Sequence, residues 1–402
     1  MRTNKFILLA LLFIAPLFVA AQTSLDDQFG SQRFRFIGPE GNRAIAIAGE
    51  PSNPMVNYIG AASGGLWKTE NGGLSWRPIF DDQDISSIGS VALAPTDPKQ
   101  VWVGTGETFV IRPAHAMGNG IYFSPDAGRT WEHKGLEKTG RIGRVIVHPT
   151  NAKVIYAASL GHTYGPQQER GIYRSKNGGD TWERILFIDE NTGASDLAID
   201  PKNPNILYAA MWSVHINSWG LNSGGNGGGI YRSMDGGDTW KPMNLKGLPG
   251  GEKRPVGKTA VAVSYSNPNV VYALFEINSP ELWRSDNKGE TWTLMSQDHD
   301  WNERAPYYTR IAVGTGNPDE VYSLSVRFVQ SLDGGKTRER RPPSGGGDNH
   351  DMWIDPTNPD RMMVAHDGGA SITLDHGRSF QRVVLPIAQM YHVSVDDQVP
   401  YN

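Results

Sequence analysis

The sequence contains no cysteine. Disulfides are therefore excluded, and packing must hold the chain together even if it is exported. With no cysteine after the apolar leader, a lipid anchor there has no support. Positive charge is not in excess: 38 Lys and Arg stand against 42 Asp and Glu, for a formal net charge of −4. A basic groove is not expected, so nucleic acid is not an expected partner. After residue 21 no apolar run approaches the ~20 residues needed to cross a bilayer, so no membrane span is expected in the mature chain. The sequence also lacks a P-loop, a nucleophile elbow and a dinucleotide fingerprint. Its Gly-rich runs "SGGNGGG" and "SGGG" are not followed by Gly-Lys-Ser/Thr, so they read as loops and no cofactor is expected.

The one long apolar stretch is N-terminal. Arg2 and Lys5 precede "FILLALLFIAPLFVA", and Val19-Ala20-Ala21 offers small residues at a cleavage site. Residues 1–21 read as a signal peptide cleaved after Ala21, placing residues 22–402 in the periplasm or outside the cell. The whole sequence is rich in Gly (47) and carries 26 Pro, 12 Trp and 14 Tyr, a composition suited to short strands joined by tight turns.

Two patterns recur. The first is Ser/Thr-x-Asp/Asn-x-Gly-x-Ser/Thr followed by an aromatic residue, as in "IYRSMDGGDTW" and "IYRSKNGGDTW". It begins at Thr69, Ser124, Ser175, Ser233, Ser285, Ser331 and Thr373, with spacings of 55, 51, 58, 52, 46 and 42 residues; Arg338 and Phe380 replace Trp. The second is an alternating apolar segment, a Pro/Asn turn and a second apolar segment, as in "LAIDPKNPNILYAAM". Together they give four strands per repeat. A repeat near 50 residues predicts an all-β fold, a β-propeller of about seven four-stranded blades and possibly part of a larger propeller. Blades start near residues 43, 88, 141, 195, 258, 309 and 351, and "AQMYHVSVDDQVPYN" opens an eighth near 389. The stretch "RFRFIGP" (Arg33–Pro39) is a candidate closing strand.

A four-stranded meander puts alternate connections at opposite ends. The glycine turns and the Pro/Asn turns then share one face, and the irregular loops share the other. Asp235 in its turn could be an acid catalyst or scaffolding. Asn71, Asn177 and Asn287 replace it in three repeats; they keep the hydrogen-bond acceptor but lose the titratable proton, so the scaffolding role is expected.

These turns resemble the Asp-box, or bacterial neuraminidase repeat, of sialidases, xyloglucanase-type glycoside hydrolases and sortilin-type propellers, over nearly all of residues 43–387. The resemblance implies turns away from the ligand site. Larger relatives would have ten blades in one ring or two successive rings. In the xyloglucanase type a catalytic Asp precedes Val-Gly-Gly on the first blade; here "AASGGLWKT" puts Ala62 there. "RFRFIGP" matches the sialidase arginine motif only in part, since Gly38 interrupts it.

Candidate ligand-binding residues fall on the irregular loops: Glu107, Arg112, His115, His162, Tyr164, Trp212, His215, Trp219, Asp298, His299, Trp301, Arg304, His350 and His366. Most of the ten His belong to this set. The aromatics suit sugar stacking. Asp367, Asp348 and Asp351 are candidates for catalysis, which in a glycosidase needs two carboxylates in different protonation states. "DNHD" with His366 and Asp367 could also supply metal ligands, although the spacing matches no standard metal motif. The leading expectation is an exported, sortilin-like propeller binding a peptide, protein or glycan on the loop face. The alternative is a glycoside hydrolase of the xyloglucanase or sialidase type.

Overall fold

The computed structural model describes residues 43–110, 115–341 and 347–388, with 390, 392 and 394. The leader, Arg33–Pro39 and most of the eighth-blade stretch lie outside these residues. Seven antiparallel sheets follow one another, each with its four main strands in chain order. The fourth sheet adds a short ribbon strand, Leu221–Ser223, paired with an extended second strand, Leu207–Ile216. The first strands of the blades are Ala44–Gly49, Ile88–Ala94, Ile142–Val147, Thr192–Ile199, Thr259–Val263, Arg310–Val313 and Asn349–Ile354. Each packs on the next, and the last packs on the first, so they line the axis of a closed ring.

Closure joins blades one and seven directly. Ile47, Ile59 and Trp67 pack with Met363, Ala365, Ile372 and Val383 in one buried cluster. Arg361 donates to Glu50 O at 2.8 Å and Asn57 Oδ1 at 2.7 Å, and Gln381 donates to Gly73 O at 3.3 Å. The expected seven four-stranded blades are present, and these contacts join blade seven directly to blade one. The outer strand of blade seven is its own Gln381–Val383.

The glycine turns are local hydrogen-bond knots. Asp235 Oδ1 accepts from Thr239 N and Ser233 Oγ, both at 2.8 Å, and Oδ2 accepts from Thr239 Oγ1 at 2.6 Å. Asn71 makes the same turn: Oδ1 accepts from Ser75 N at 2.9 Å, and Nδ2 donates to Ser75 Oγ at 2.8 Å. The Thr239 hydroxyl and N–H pull the Asp235 carboxyl down to about 2, the wrong direction for a proton donor. Gly237 has φ +98°, and a Cβ there would lie 2.4 Å from Ile185 of the preceding blade.

The turns are also gripped by their neighbours. Tyr156 OH and Arg174 Nη1 of blade three donate to Gly236 O of blade four at 3.0 and 2.7 Å. Tyr208 and Arg232 of blade four do the same to Lys288 O of blade five, at 3.0 and 2.5 Å. The repeated Tyr and Arg of the strands therefore cap a carbonyl across each of these interfaces, where an unpaired one would be costly.

Candidate functional site

The axis is crossed by charge. Arg144 Nε meets Asp196 Oδ1 at 2.9 Å, and Arg144 Nη1 meets Asp351 Oδ1 at 3.4 Å. Arg310 Nη1 meets the same two oxygens at 3.4 and 3.7 Å. These four side chains come from the inner strands of blades three, four, six and seven. Two cations and two anions alternate, so the buried group carries no net charge and each member is paired. The sequence signal was a charged residue inside each inner strand ("GRIGRVIV", "ASDLAID", "YTRIAVG", "NHDMWI"). Of the four, only Asp351 is among the residues expected from the irregular loops.

On the loop side of this quartet, the channel mouth is filled by Phe109 from the second blade's long loop. Its ring meets His350 edge-on with centroids 4.6 Å apart and Tyr307 at 6.1 Å. Lys258 Nζ lies 4.7 Å from the Phe109 centroid and 5.3 Å from that of Trp212, and donates to Tyr307 O at 2.7 Å. Burial pushes the Lys258 ammonium down to about 7, against the pull of Glu276, Asp196 and Glu107.

Around Phe109 each acidic group has an internal partner. Glu107 forms a two-point contact with Arg43, at 2.6 and 2.9 Å, and Arg43 also donates to Tyr307 OH at 2.5 Å. Burial pushes the Glu107 carboxyl up to about 7, with Arg43 pulling the other way. His115 Nδ1 lies 3.9 Å from Glu107 Oε1. Asp348 accepts from Tyr308 OH. Asp367 is 41% exposed and bonds His350 Nε2 at 2.8 Å; burial lowers the pKa of His350. Glu107, His115, His350, Asp348 and Asp367 thus converge on one mouth. Arg43, Phe109, Tyr307 and Tyr308 belong to it as well and were not among the expected residues.

Of the other candidates, Arg304 and Trp212 border this mouth and the rest lie elsewhere. Trp212 and Trp301 are buried in core clusters. His366 is buried, bonds Ser371 Oγ at 3.0 Å, and is pushed by burial down to about 4. Asp298 caps a short 3-10 helix, His299–Trp301, by accepting from Asp300 N at 2.9 Å. Arg304 lies over the Tyr307 ring at 5.3 Å. His215 is on the ribbon of blade four, and Trp219, 90% exposed, is at its tip. His162 and Tyr164 line a groove of about 550 Å³ between blades two and three, where buried Arg141 backs the Tyr164 ring at 5.5 Å. Arg112 lies outside the described residues. Among the described residues no three His, Asp or Glu are placed to hold a metal ion.

Comparison with known proteins places this architecture. A family described as "Sortilin, neurotensin receptor 3" matches residues 119–244. A xyloglucanase from Acetivibrio thermocellus is 25% identical over 344 residues, covering 75% of this chain and 38% of the relative. A probable oligoxyloglucan-reducing-end-specific xyloglucanase from Neosartorya fischeri is 27% identical over 364 residues, covering 76% of this chain and 42% of the relative. The structure of a GH74 xyloglucanase from Xanthomonas campestris superposes with a TM-score of 0.62 at 16% identity, over 86% of this chain and 54% of that one. The chain is a seven-bladed propeller resembling sortilin-type propellers and xyloglucanases. It spans about two fifths of the length of these two xyloglucanase relatives.

Proposed function

We propose that this chain is an exported binding propeller that takes a peptide, protein or glycan ligand on the face opposite the glycine turns. The observation that carries this reading is the pairing of the mouth carboxylates. Glu107 is held by Arg43, Asp348 by Tyr308, Asp367 by His350, and Asp351 by Arg144 and Arg310. A glycosidase needs two carboxyl groups flanking the scissile bond, one of them protonated. The position expected for the first catalytic Asp of the xyloglucanase type is Ala62, packed with Ile45, Phe109, Tyr307 and Tyr308. The charge quartet and Phe109 stand on the axis, which favours the loop surface over the axial channel as the ligand's seat.

The hydrolase reading is the second one, favoured by the xyloglucanase relatives. In this chain it would use exposed Asp367 with Glu107, whose raised pKa suits an acid. Incubation with xyloglucan and with sialosides, followed by assay of reducing ends and free sialic acid, separates the two. Binding without release is expected; release abolished by Asp367→Asn would overturn the binding-only reading. Export is tested by N-terminal sequencing of the mature protein, with Gln22 expected first.

A further inference from the structure

The groove of about 550 Å³ between blades two and three lies on the loop face. One wall is the Glu137–Thr139 helical turn that joins the two blades, and the other is the loop 160–170 between the second and third strands of blade three. Lys138 O ties the walls together: it accepts from His162 Nε2 at 3.1 Å and from Gln167 Nε2 at 2.6 Å. Gly140 lets them close, since a Cβ there would lie 2.9 Å from His162 Cδ2 and 3.0 Å from Met117 Cε.

Two fully buried guanidiniums underlie this groove. Arg141 donates to His162 O at 2.6 Å, His115 O at 3.2 Å and Tyr164 OH at 3.4 Å, and meets Met117 Sδ at 2.9 Å. Arg170 donates to Asn191 O at 2.5 Å, Gly165 O at 3.1 Å and Val214 O at 3.2 Å. Nε of each has no hydrogen-bond partner among the described residues. Four other arginines are buried, Arg174, Arg232, Arg310 and Arg361, and each meets a carboxylate. Arg141 and Arg170 meet none within 4.0 Å among the described residues. Carbonyl oxygens satisfy N–H groups but bring no opposing charge. Burial pushes both guanidiniums down, Arg170 to about 10 against the pull of Asp189, and the Arg141 charge pushes Arg170 the same way.

An uncompensated charge in a low-dielectric layer acts further than one in water. Lys138 adds an exposed ammonium at the lip, in no ion pair among the described residues. Two carboxylates oppose these cations. Glu137 is 65% exposed and lies 3.6 Å from His133, so water screens it; Glu169 is half-buried. Three cations thus stand against two carboxylates, and the two unscreened ones are positive. The rest of the lining selects the ligand. No residue of the groove belongs to a strand, so a peptide finds no strand edge to extend. The Tyr164 ring is 40% exposed and is backed by Arg141 at 5.5 Å. An aromatic face over a positive floor suits a sugar ring that carries a carboxylate.

We infer that this groove is an anion site that seats a uronate residue of an acidic glycan, its carboxylate drawn by Lys138 and the two buried guanidiniums and its ring against Tyr164. The inference goes beyond the proposed reading of the loop face: it leaves the axial mouth and its ligand untouched and adds to the same face a second seat with its own charge requirement.

The test is calorimetric titration of the full chain with hexagalacturonate, cellohexaose and hexaglutamate. Hexagalacturonate is expected to bind saturably, at least about tenfold more tightly than either of the others, and more weakly as salt rises. Lys138→Glu and Tyr164→Ala, both at exposed positions, keep the melting temperature and weaken that binding by about three- to tenfold. Lys253→Glu, at an exposed lysine between blades four and five, leaves it unchanged, which separates a built site from general attraction to positive charge. No binding of hexagalacturonate, or binding untouched by Lys138→Glu and Tyr164→Ala, would overturn the groove assignment while leaving the loop-face reading intact. Cellohexaose bound as tightly would overturn the role of the charge. Hexaglutamate bound more tightly would overturn the glycan class in favour of an acidic protein segment.

Discussion

Asp351, on the inner strand of blade seven, faces Arg144, on the inner strand of blade three, at 3.4 Å across the axis. Among the described residues no backbone hydrogen bond joins these two blades, so the contact spans the ring. With Asp196 and Arg310 it forms a neutral quartet whose members satisfy one another. Asp351→Ala leaves the buried Arg310 and the partly buried Arg144 facing one carboxylate and is expected to cost about 3 kcal/mol, read from urea unfolding. Replacing Asp351 and Arg310 together with Leu and Met removes one charge of each sign and recovers most of the loss. A double variant no more stable than the single one would contradict the pairing account.

The turn aspartates make a pH prediction. Asp235 is held near 2 by Thr239, and Asp375 near 2 by the hydroxyl and N–H of Ser379. A carboxyl whose folded pKa lies below its unfolded value of ~3.9 stabilises the fold above that value. The contribution fades as pH falls from about 4 to about 2. Replacing Asp235 and Asp375 with Asn should flatten the acid limb of the melting-temperature profile in that window while keeping the fold, since Asn71 closes the same knot. Asp235→Ala, which removes the acceptor, should lower the melting temperature at pH 7.

Gly237 tests the packing of the turns. Any side chain there meets both a positive φ and Ile185 of the neighbouring blade. Gly237→Ala is expected to destabilise by roughly 1–3 kcal/mol in chemical denaturation. The double variant Gly237→Ala/Ile185→Ala removes the clash but not the backbone strain, so it should recover only part of the loss relative to Ile185→Ala alone.

Lys258 titrates against the fold. Its folded pKa of about 7 lies below the unfolded value of ~10.4, so between these values the unfolded chain binds more protons. Stability from this group rises as pH rises from about 7 to about 10, and on the way down its loss is complete by about pH 7. Lys258→Met has no such dependence. The melting temperature of the unsubstituted chain, relative to Lys258→Met, should climb over pH 7–10; a flat difference would contradict a buried ammonium.

The architecture was legible because it rests on local chemistry repeated seven times. Ser233, Asp235, Gly237 and Thr239 close their knot within seven residues, so each copy carries its own signature. The Asn71 substitution pointed to an acceptor role for the turn residue, and the structure shows that role. The mouth was legible only as a list of loop residues. Which of them meet depends on how far each loop reaches over the axis: Phe109 and His350 touch across blades two and seven, while Trp212 and Trp301, equally prominent in the sequence, turn into the core. Arg144, Asp196 and Arg310 went unnoticed because a charged residue in an alternating strand looks solvent-facing until the ring closes around it. The room that Gly257 makes for the Glu276 carboxyl is equally illegible, a steric relation between residues 19 apart that no motif encodes.

The central claim is that ligand meets the irregular loops and not the glycine turns. Hydrogen–deuterium exchange with and without saturating xyloglucan heptasaccharide tests it most directly. Protection confined to the loops between second and third strands and between blades, such as 160–170, 276–280 and 297–309, is the predicted result. Protection of the turns containing Asp126, Asp235 and Asp333, with those loops unchanged, would contradict it.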